Sequence, residues 1–201
     1  MTTAKPTKLL LTVVISVFST LVFAMLAIFF IQSTIQSTMS NYTEQYQQAL
    51  NDFPGSTDGV EQGLENFKQT YANLADPSTA DKISQLYASS LYFNDTVTTL
   101  RTRTDLSEYM GKTSDRLNVS TVKIDQVIRD GEDVFVRWNM HFSSSAYGMG
   151  VDSESIGMTH LRFNEQGEII LHQDFWDAAA GLYEHLPIVG FFVRRAQAAM
   201  H

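Results

Sequence analysis

Hydrophobic and polar residues change their rhythm several times along this chain, and each change marks an element. The run 9–31, LLLTVVISVFSTLVFAMLAIFFI, holds no charge, Pro or Gly. Apolar residues occupy every helical face of it, unlike a helix lying on a globular surface. At about 1.5 Å per residue it spans roughly 34 Å, enough to cross a hydrocarbon core of about 30 Å. It exceeds the length of a signal-peptide apolar region and lacks a small-residue cleavage site after it, so it predicts an uncleaved transmembrane anchor. Residues 32–59 are rich in Gln, Ser and Thr and end in a Pro-Gly turn signal, which reads as a stalk that begins as a helix.

A helical period sets in at residue 60. Val60, Leu64, Phe67, Tyr71 and Leu74 recur at steps of four and three, an amphipathic helix closed by Asp76-Pro77. A second short helix carries Ile83, Leu86 and Tyr87 on one side. The segment 90–100, SLYFNDTVTTL, alternates and is rich in β-formers, giving one or two short strands. A third helix is predicted over 104–117, with Thr104 as N-cap and Leu106, Tyr109 and Met110 turned inward. Beyond it the period falls to two. Strands are predicted over 118–130, 133–145, 153–164 and 168–177, and the turn signals DGED and NEQGE join antiparallel neighbours. The end of the chain reads as a helix or helix pair interrupted at Pro187.

Helices followed by a long antiparallel meander make an α+β fold, in which one strongly curved sheet wraps the N-terminal helices and encloses a cavity. The expected organisation is an N-terminus over 1–8, an anchor over 9–31, a stalk over 32–59 and one domain over 60–201. Charge orients it. Lys5 and Lys8 precede the apolar run and no basic residue follows until Lys68, so the N-terminus stays cytoplasmic and the domain lies on the extracytoplasmic side. Outside 1–31 the chain holds 12 basic against 22 acidic residues, a balance of −10. A surface so acidic argues against nucleic acid, which needs a basic patch. There is no cysteine, and no His spacing of metal-site type, so neither a thiolate nucleophile nor a bound metal is expected, and no cofactor is indicated.

Candidate chemistry concentrates in HQDFWD, residues 172–177. Strand parity puts His172, Asp174 and Trp176 on one face of the last strand, and Arg137, Asn139 and His141 on one face of the strand over 133–145. If these polar faces turn inward, Asp174 or His172 is the acid–base residue, with Arg137, Asn139, His141, Trp176 and Tyr92 lining a pocket. Burial would raise the pKa of Asp174 and an Arg137 neighbour would lower it. The competing reading makes the polar stripe the solvated face of an antiparallel sheet, with Arg137 and Asp174 as a cross-strand ion pair. Asp177 is the candidate N-cap of the following helix. The apolar tail LPIVGFFVRR, 186–195, is read as a cap over the open end of the domain or a dimer contact, with a membrane-surface segment as the alternative.

The segment LYFNDTVTTLRTRTDLSEYM, the meander, and FNEQGEIILHQDFWD together resemble the SnoaL-like branch of the nuclear-transport-factor-2-like superfamily, over about residues 60–195. The resemblance implies a cone, often dimeric through its sheet, on a fold that hosts isomerases, cyclases, dehydratases, epoxide hydrolases and pure binding domains. Epoxide hydrolases of this fold carry Arg-x-Asp on one strand, whereas this chain reads Arg137-Trp138-Asn139, and an amide does not carry a proton as a carboxylate does. The reading that follows is a membrane-anchored binding or assembly module for a small apolar or lipid-like ligand or a partner protein. The alternative is an isomerase, cyclase or dehydratase acting on a hydrophobic substrate through one acid–base residue. The residues leave open whether the chain is an enzyme.

Overall fold

A computed structural model describes residues 22–23, 25–28, 41–145 and 150–200. Two compact units divide the chain, 1–48 and 49–201. In the first, the described residues 22–23, 25–28 and 41–48 are helical. The expected anchor at 9–31 lies largely outside the described residues, and among those described no helix is long and apolar enough to cross a membrane.

In the second unit the final residues of a helix described from 41 to 52 (α1) precede α2 (Val60–Tyr71) and α3 (Thr79–Leu86). Strands β1 (Tyr87–Asn94) and β2 (Thr99–Thr102) lead to α4 (Arg103–Ser114). The long strands β3 (Leu117–Asp130), β4 (Asp133–Ser144), β5 (Val151–Phe163) and β6 (Ile169–Trp176) come next. A four-residue helix α5 (Ala178–Gly181), a 3-10 turn (Tyr183–His185) and α6 (Pro187–Ala198) end the unit. The six strands form one sheet in the order β2-β1-β6-β5-β4-β3. It is not wholly antiparallel as expected: β1 runs parallel to β6. The reason is topological. The chain leaves β1, builds the opposite edge of the sheet, and returns as a meander whose last strand docks beside the first.

Local chemistry accounts for the element boundaries. The stripe Val60, Leu64, Phe67 and Tyr71 of α2 is buried, as its spacing requires. Tyr87, expected at the end of a helix, instead opens β1, where its ring is fully buried. The cap of α4 falls on Thr102 rather than Thr104: its Oγ1 accepts from the Asp105 amide and donates to the Asp105 carboxylate. The inward face of β4 is Val134, Val136 and Trp138, and a Cβ on the facing Gly157 would lie 2.4 Å from the Trp138 ring, so glycine there makes room for the indole.

The last part of the segment expected to be a stalk is tied to the sheet through residues 50–56. The Ser56 amide donates to the Phe163 carbonyl at 2.7 Å. Arg162, 7% exposed, donates through Nη1 to the carbonyls of Leu50 at 2.7 Å and Phe53 at 3.2 Å. Its Nε reaches Asp133 at 2.5 Å and its Nη2 reaches Glu132 at 3.0 Å. A buried guanidinium is tolerated only when its donors are so occupied. The C-terminal tail departs from the expected cap: Leu182 borders the interior, whereas Ile188, Phe191 and Phe192 of α6 are exposed.

Arg162→Ala removes four hydrogen bonds, taking a partner from the Asp133 and Glu132 carboxylates and from the carbonyls of Leu50 and Phe53. It should lower the unfolding free energy by about 2–3 kcal/mol in denaturant titration. It should also speed hydrogen exchange at the Ser56 amide. A loss below about 0.5 kcal/mol, the level of an ordinary surface substitution, contradicts the role given to Arg162.

Candidate functional site

The curled sheet and helices α2 and α4 enclose a cavity of about 230 Å³. Its wall is mostly aromatic and aliphatic: Phe67 and Tyr71 from α2, Phe93 from β1, Tyr109 and Met110 from α4, Trp138, Met140 and Phe142 from β4, and Trp176 from β6. Two carboxylates interrupt it, Asp174 on β6 and Asp95 in the loop after β1. No Lys, Arg or His is found among the described lining residues.

Asp174 sits at the end of a buried hydrogen-bonded chain. The Tyr71 and Tyr87 hydroxyls meet at 2.6 Å, and the Tyr87 hydroxyl meets His172 Nδ1 at 2.7 Å. His172 Nε2 lies 3.0 Å from Asp174 Oδ1. Thr159 Oγ1 donates to the same Asp174 oxygen at 2.5 Å, while accepting from Trp138 Nε1 at 2.9 Å. One proton arrangement satisfies every member. Tyr71 donates to Tyr87, Tyr87 to Nδ1, and His172 donates from Nε2 to the carboxylate; this tautomer is assigned from the network. Asp174 Oδ2 takes no bond from a described residue. Its side chain is 15% exposed, whereas His172 is buried within the rings of Phe67, Tyr71, Tyr87 and Phe93, with centroids 4.7–6.1 Å away. Burial pushes the Tyr71 and Tyr87 hydroxyls well above the usual phenol range, so both remain donors.

The second carboxylate is held differently. Asp95 accepts from Tyr109 through Oδ2 at 2.5 Å and from the amides of Val97 and Thr98 through Oδ1 at 2.9 and 2.8 Å. Its carbonyl accepts from Trp176 Nε1 at 2.9 Å. Burial raises its pKa and outweighs these hydrogen bonds, with the Asp174 charge adding to the rise. Burial also raises the Tyr109 hydroxyl, as does the neighbouring Asp95 charge.

The polar residues predicted to share one pocket do not all meet. Asp174 and Trp176 border the cavity and His172 lies directly behind Asp174. Arg137 and Asn139 are exposed on the opposite face of β4, because that strand turns Val136 and Trp138 inward. His141 shares their face and pairs with Asp152 at 3.0 Å. Asn139 bonds Asp125, also on the outer face. An Arg137–Asp174 ion pair is therefore ruled out by placement. Tyr92 is buried but is not among the cavity-lining residues; its hydroxyl donates to Gln173 at 2.8 Å and Arg101 lies over its ring. Asp177 does cap α5, accepting from the Ala180 amide at 3.1 Å.

Sequence reasoning missed Asp95, Tyr109 and Thr159 as parts of the site, and it placed Tyr71 and Tyr87 only as core. A signal existed for the tyrosines. A phenol on a buried helical or strand face needs a partner for its hydroxyl, and two of them in one core point to a polar group between them. Asp95 should titrate above the usual carboxylate value of about 3.9, followed by its carboxyl carbon in NMR. The folded form then holds the proton more tightly than the unfolded chain. The Asp95 contribution to stability is full below the unfolded value and falls as pH rises through the folded midpoint. A midpoint at or below the usual value contradicts this.

A family model described as SnoaL-like domain matches residues 68–172. Comparison of the sequence with curated proteins finds no match. Among solved structures, the chain is similar to a putative SnoaL-like polyketide cyclase from Shewanella denitrificans, at 15% identity and TM-score 0.52, covering 60% of this chain and 92% of that one. A putative SnoaL-like polyketide cyclase from a Jannaschia species aligns at 16% identity and TM-score 0.51, covering 64% and 91%. A putative hydroxylase from Streptomyces galilaeus aligns at 12% identity and TM-score 0.50, covering 64% and 99%. At such identities the likeness is one of fold.

Proposed function

Because the chain belongs to the SnoaL-like domain family, we propose that it holds a small apolar substrate in the cavity and moves a proton on it with Asp174. One observation carries this reading. Asp174 Oδ1 is fixed by Thr159 and His172, while Oδ2, on the wall of an apolar cavity, has no partner among the described residues. A carboxylate held this way is oriented but not used up, as a general base must be.

The chemistry is proton abstraction next to a carbonyl. Oδ2 takes the proton, the C–H electron pair moves into the new C=C bond, and the carbonyl oxygen receives the displaced pair. With a β,γ-unsaturated ketone, return of the proton to the γ-carbon completes an isomerisation; attack of the enolate carbon on a second carbonyl forms the ring bond, and the proton held by Asp174 passes to the new alkoxide oxygen. Asp95 supports the reading from the same wall. Burial makes it retain a proton more tightly than an ordinary carboxyl, and its two oxygens are held in place by Tyr109 and by the amides of Val97 and Thr98. The reading also keeps the tether: residues 9–31 anchor the chain, and the domain works on the extracytoplasmic side.

The test uses the full chain recovered from carbonate-washed membranes, incubated in D₂O with 1-tetralone and 2-decalone and followed by mass spectrometry. Deuterium should enter the α-carbons in the presence of the protein. Asp174→Asn should slow this at least about 100-fold with the fold intact. Exchange that persists in Asp174→Asn takes the role of base from Asp174, and exchange that never exceeds the buffer rate leaves a binding module without chemistry. Recovery of the chain in the soluble fraction removes the tether.

A further inference from the structure

Ser120, on β3, is 4% exposed and borders the cavity, yet its Oγ has no hydrogen-bond partner among the described residues. Its neighbours show that this is a position aimed inward. Ser120 pairs with Phe142 and Val122 pairs with Met140, and all four belong to the cavity wall. Among the described residues three further buried hydroxyls lack partners, on Thr96, Ser107 and Ser155, but none of these residues lines the cavity. A buried hydroxyl without a partner forfeits its solvation, so its retention on an otherwise apolar wall asks for an outside partner.

Every other hydroxyl among the described residues of that wall is already committed. Tyr71 is bonded to Tyr87, Tyr109 to Asp95, Thr113 to the Tyr109 carbonyl at 2.9 Å, and Thr159 to Asp174. Ser120 is the one lining hydroxyl among the described residues left to donate to a ligand. It stands three strands away from Asp174 along the sheet, on β3 against β6. The charge of the wall adds a second constraint. With two carboxylates and no described basic side chain around it, the cavity gives an anion no counter-charge and repels it.

We infer that Ser120 is a ligand-binding residue, and that the cavity takes an uncharged, mainly apolar molecule whose hydrogen-bonding oxygen meets Ser120 Oγ, remote from the group that faces Asp174. This rests on the reading of the cavity as the substrate site and specifies its ligand class. Carboxylates and phosphate esters of the same shape are excluded.

Three isosteric probes separate these statements: 4-phenyl-2-butanone, its hydrocarbon counterpart isopentylbenzene, and the anion 3-phenylpropanoate. The chain has two tryptophans, and both border the cavity, so their fluorescence excited at 295 nm reports its occupancy. Titrations use the full chain in phospholipid nanodiscs with empty nanodiscs subtracted. The ketone should bind, and Ser120→Ala should weaken it roughly three- to ten-fold, the loss of one hydrogen bond. The affinity for isopentylbenzene should be unchanged by that substitution. The anion should bind at least about ten-fold more weakly than the ketone. The melting temperature of Ser120→Ala should be equal to or above that of the parent, because the substitution removes an unpaired polar atom; a cooperative melt there also certifies the fold. Equal ketone affinity in the two proteins means that Oγ meets only water and overturns the inference, as does anion binding comparable to the ketone's. If deuteration through Asp174 persists while binding ignores Ser120, this inference alone falls. If no probe perturbs the tryptophans of the parent protein, the cavity reading falls with it.

Discussion

An imidazole and a carboxylate placed inside an aromatic core are tolerated only when hydrogen bonds replace the water they lose. In this fold that replacement is a chain running from Tyr71 through Tyr87, His172 and Asp174 to Thr159 and Trp138, with each step between 2.5 and 3.0 Å. It links α2, β1, β6, β5 and β4, so the packing of helix on sheet and the aim of Asp174 are one problem with one solution. Glycine at 157 belongs to the same solution, because the Trp138 indole lies where its Cβ would be. The wall around the free oxygen of Asp174 is apolar, which makes any group that meets it feel the charge at low dielectric.

The two faces of the sheet divide the remaining polar residues by role. Inward positions carry the few groups that confront the cavity, Asp174, Asp95 and Ser120. Outward positions carry Arg137, Asn139 and His141, whose partners are solvent or outer-face carboxylates such as Asp125 and Asp152. A third polar cluster, around Arg162, serves a mechanical purpose, clamping Leu50 and Phe53 to the end of β5 beside Asp133 and His160. Burial depresses the His160 pKa, which keeps its ring neutral and stacked on Phe135 at 4.5 Å.

Much of this architecture is written in the hydrophobic rhythm. The period of α2 and the alternation of β3 to β6 place those elements to within a few residues, because burial on one face leaves no other register. Three things escape it. The parallel docking of β1 on β6 is a long-range choice that no local pattern encodes. The direction of a mixed strand is also ambiguous. On β4 the apolar set Val134, Val136 and Trp138 turns inward, whereas on β6 the polar set His172 and Asp174 does so, because tyrosine hydroxyls wait there to receive it. Treating polar faces as equivalent by parity joins Arg137 and Asn139 to a site they never reach. Asp95 escapes for a different reason: it lies in a four-residue connection whose place over the cavity is set by Tyr109 and Trp176, distant in sequence.

With His172 neutral, only one arrangement of protons along the buried chain leaves Asp174 Oδ2 open while giving Oδ1 two donors, and the proposed role of Asp174 depends on it. The nitrogen-15 shifts of His172 at pH 8 read this directly. Protonation at Nε2 with an unprotonated, hydrogen-bonded Nδ1 is the predicted result. Protonation at Nδ1 alone, which would set a bare Nε2 against the carboxylate, would contradict it.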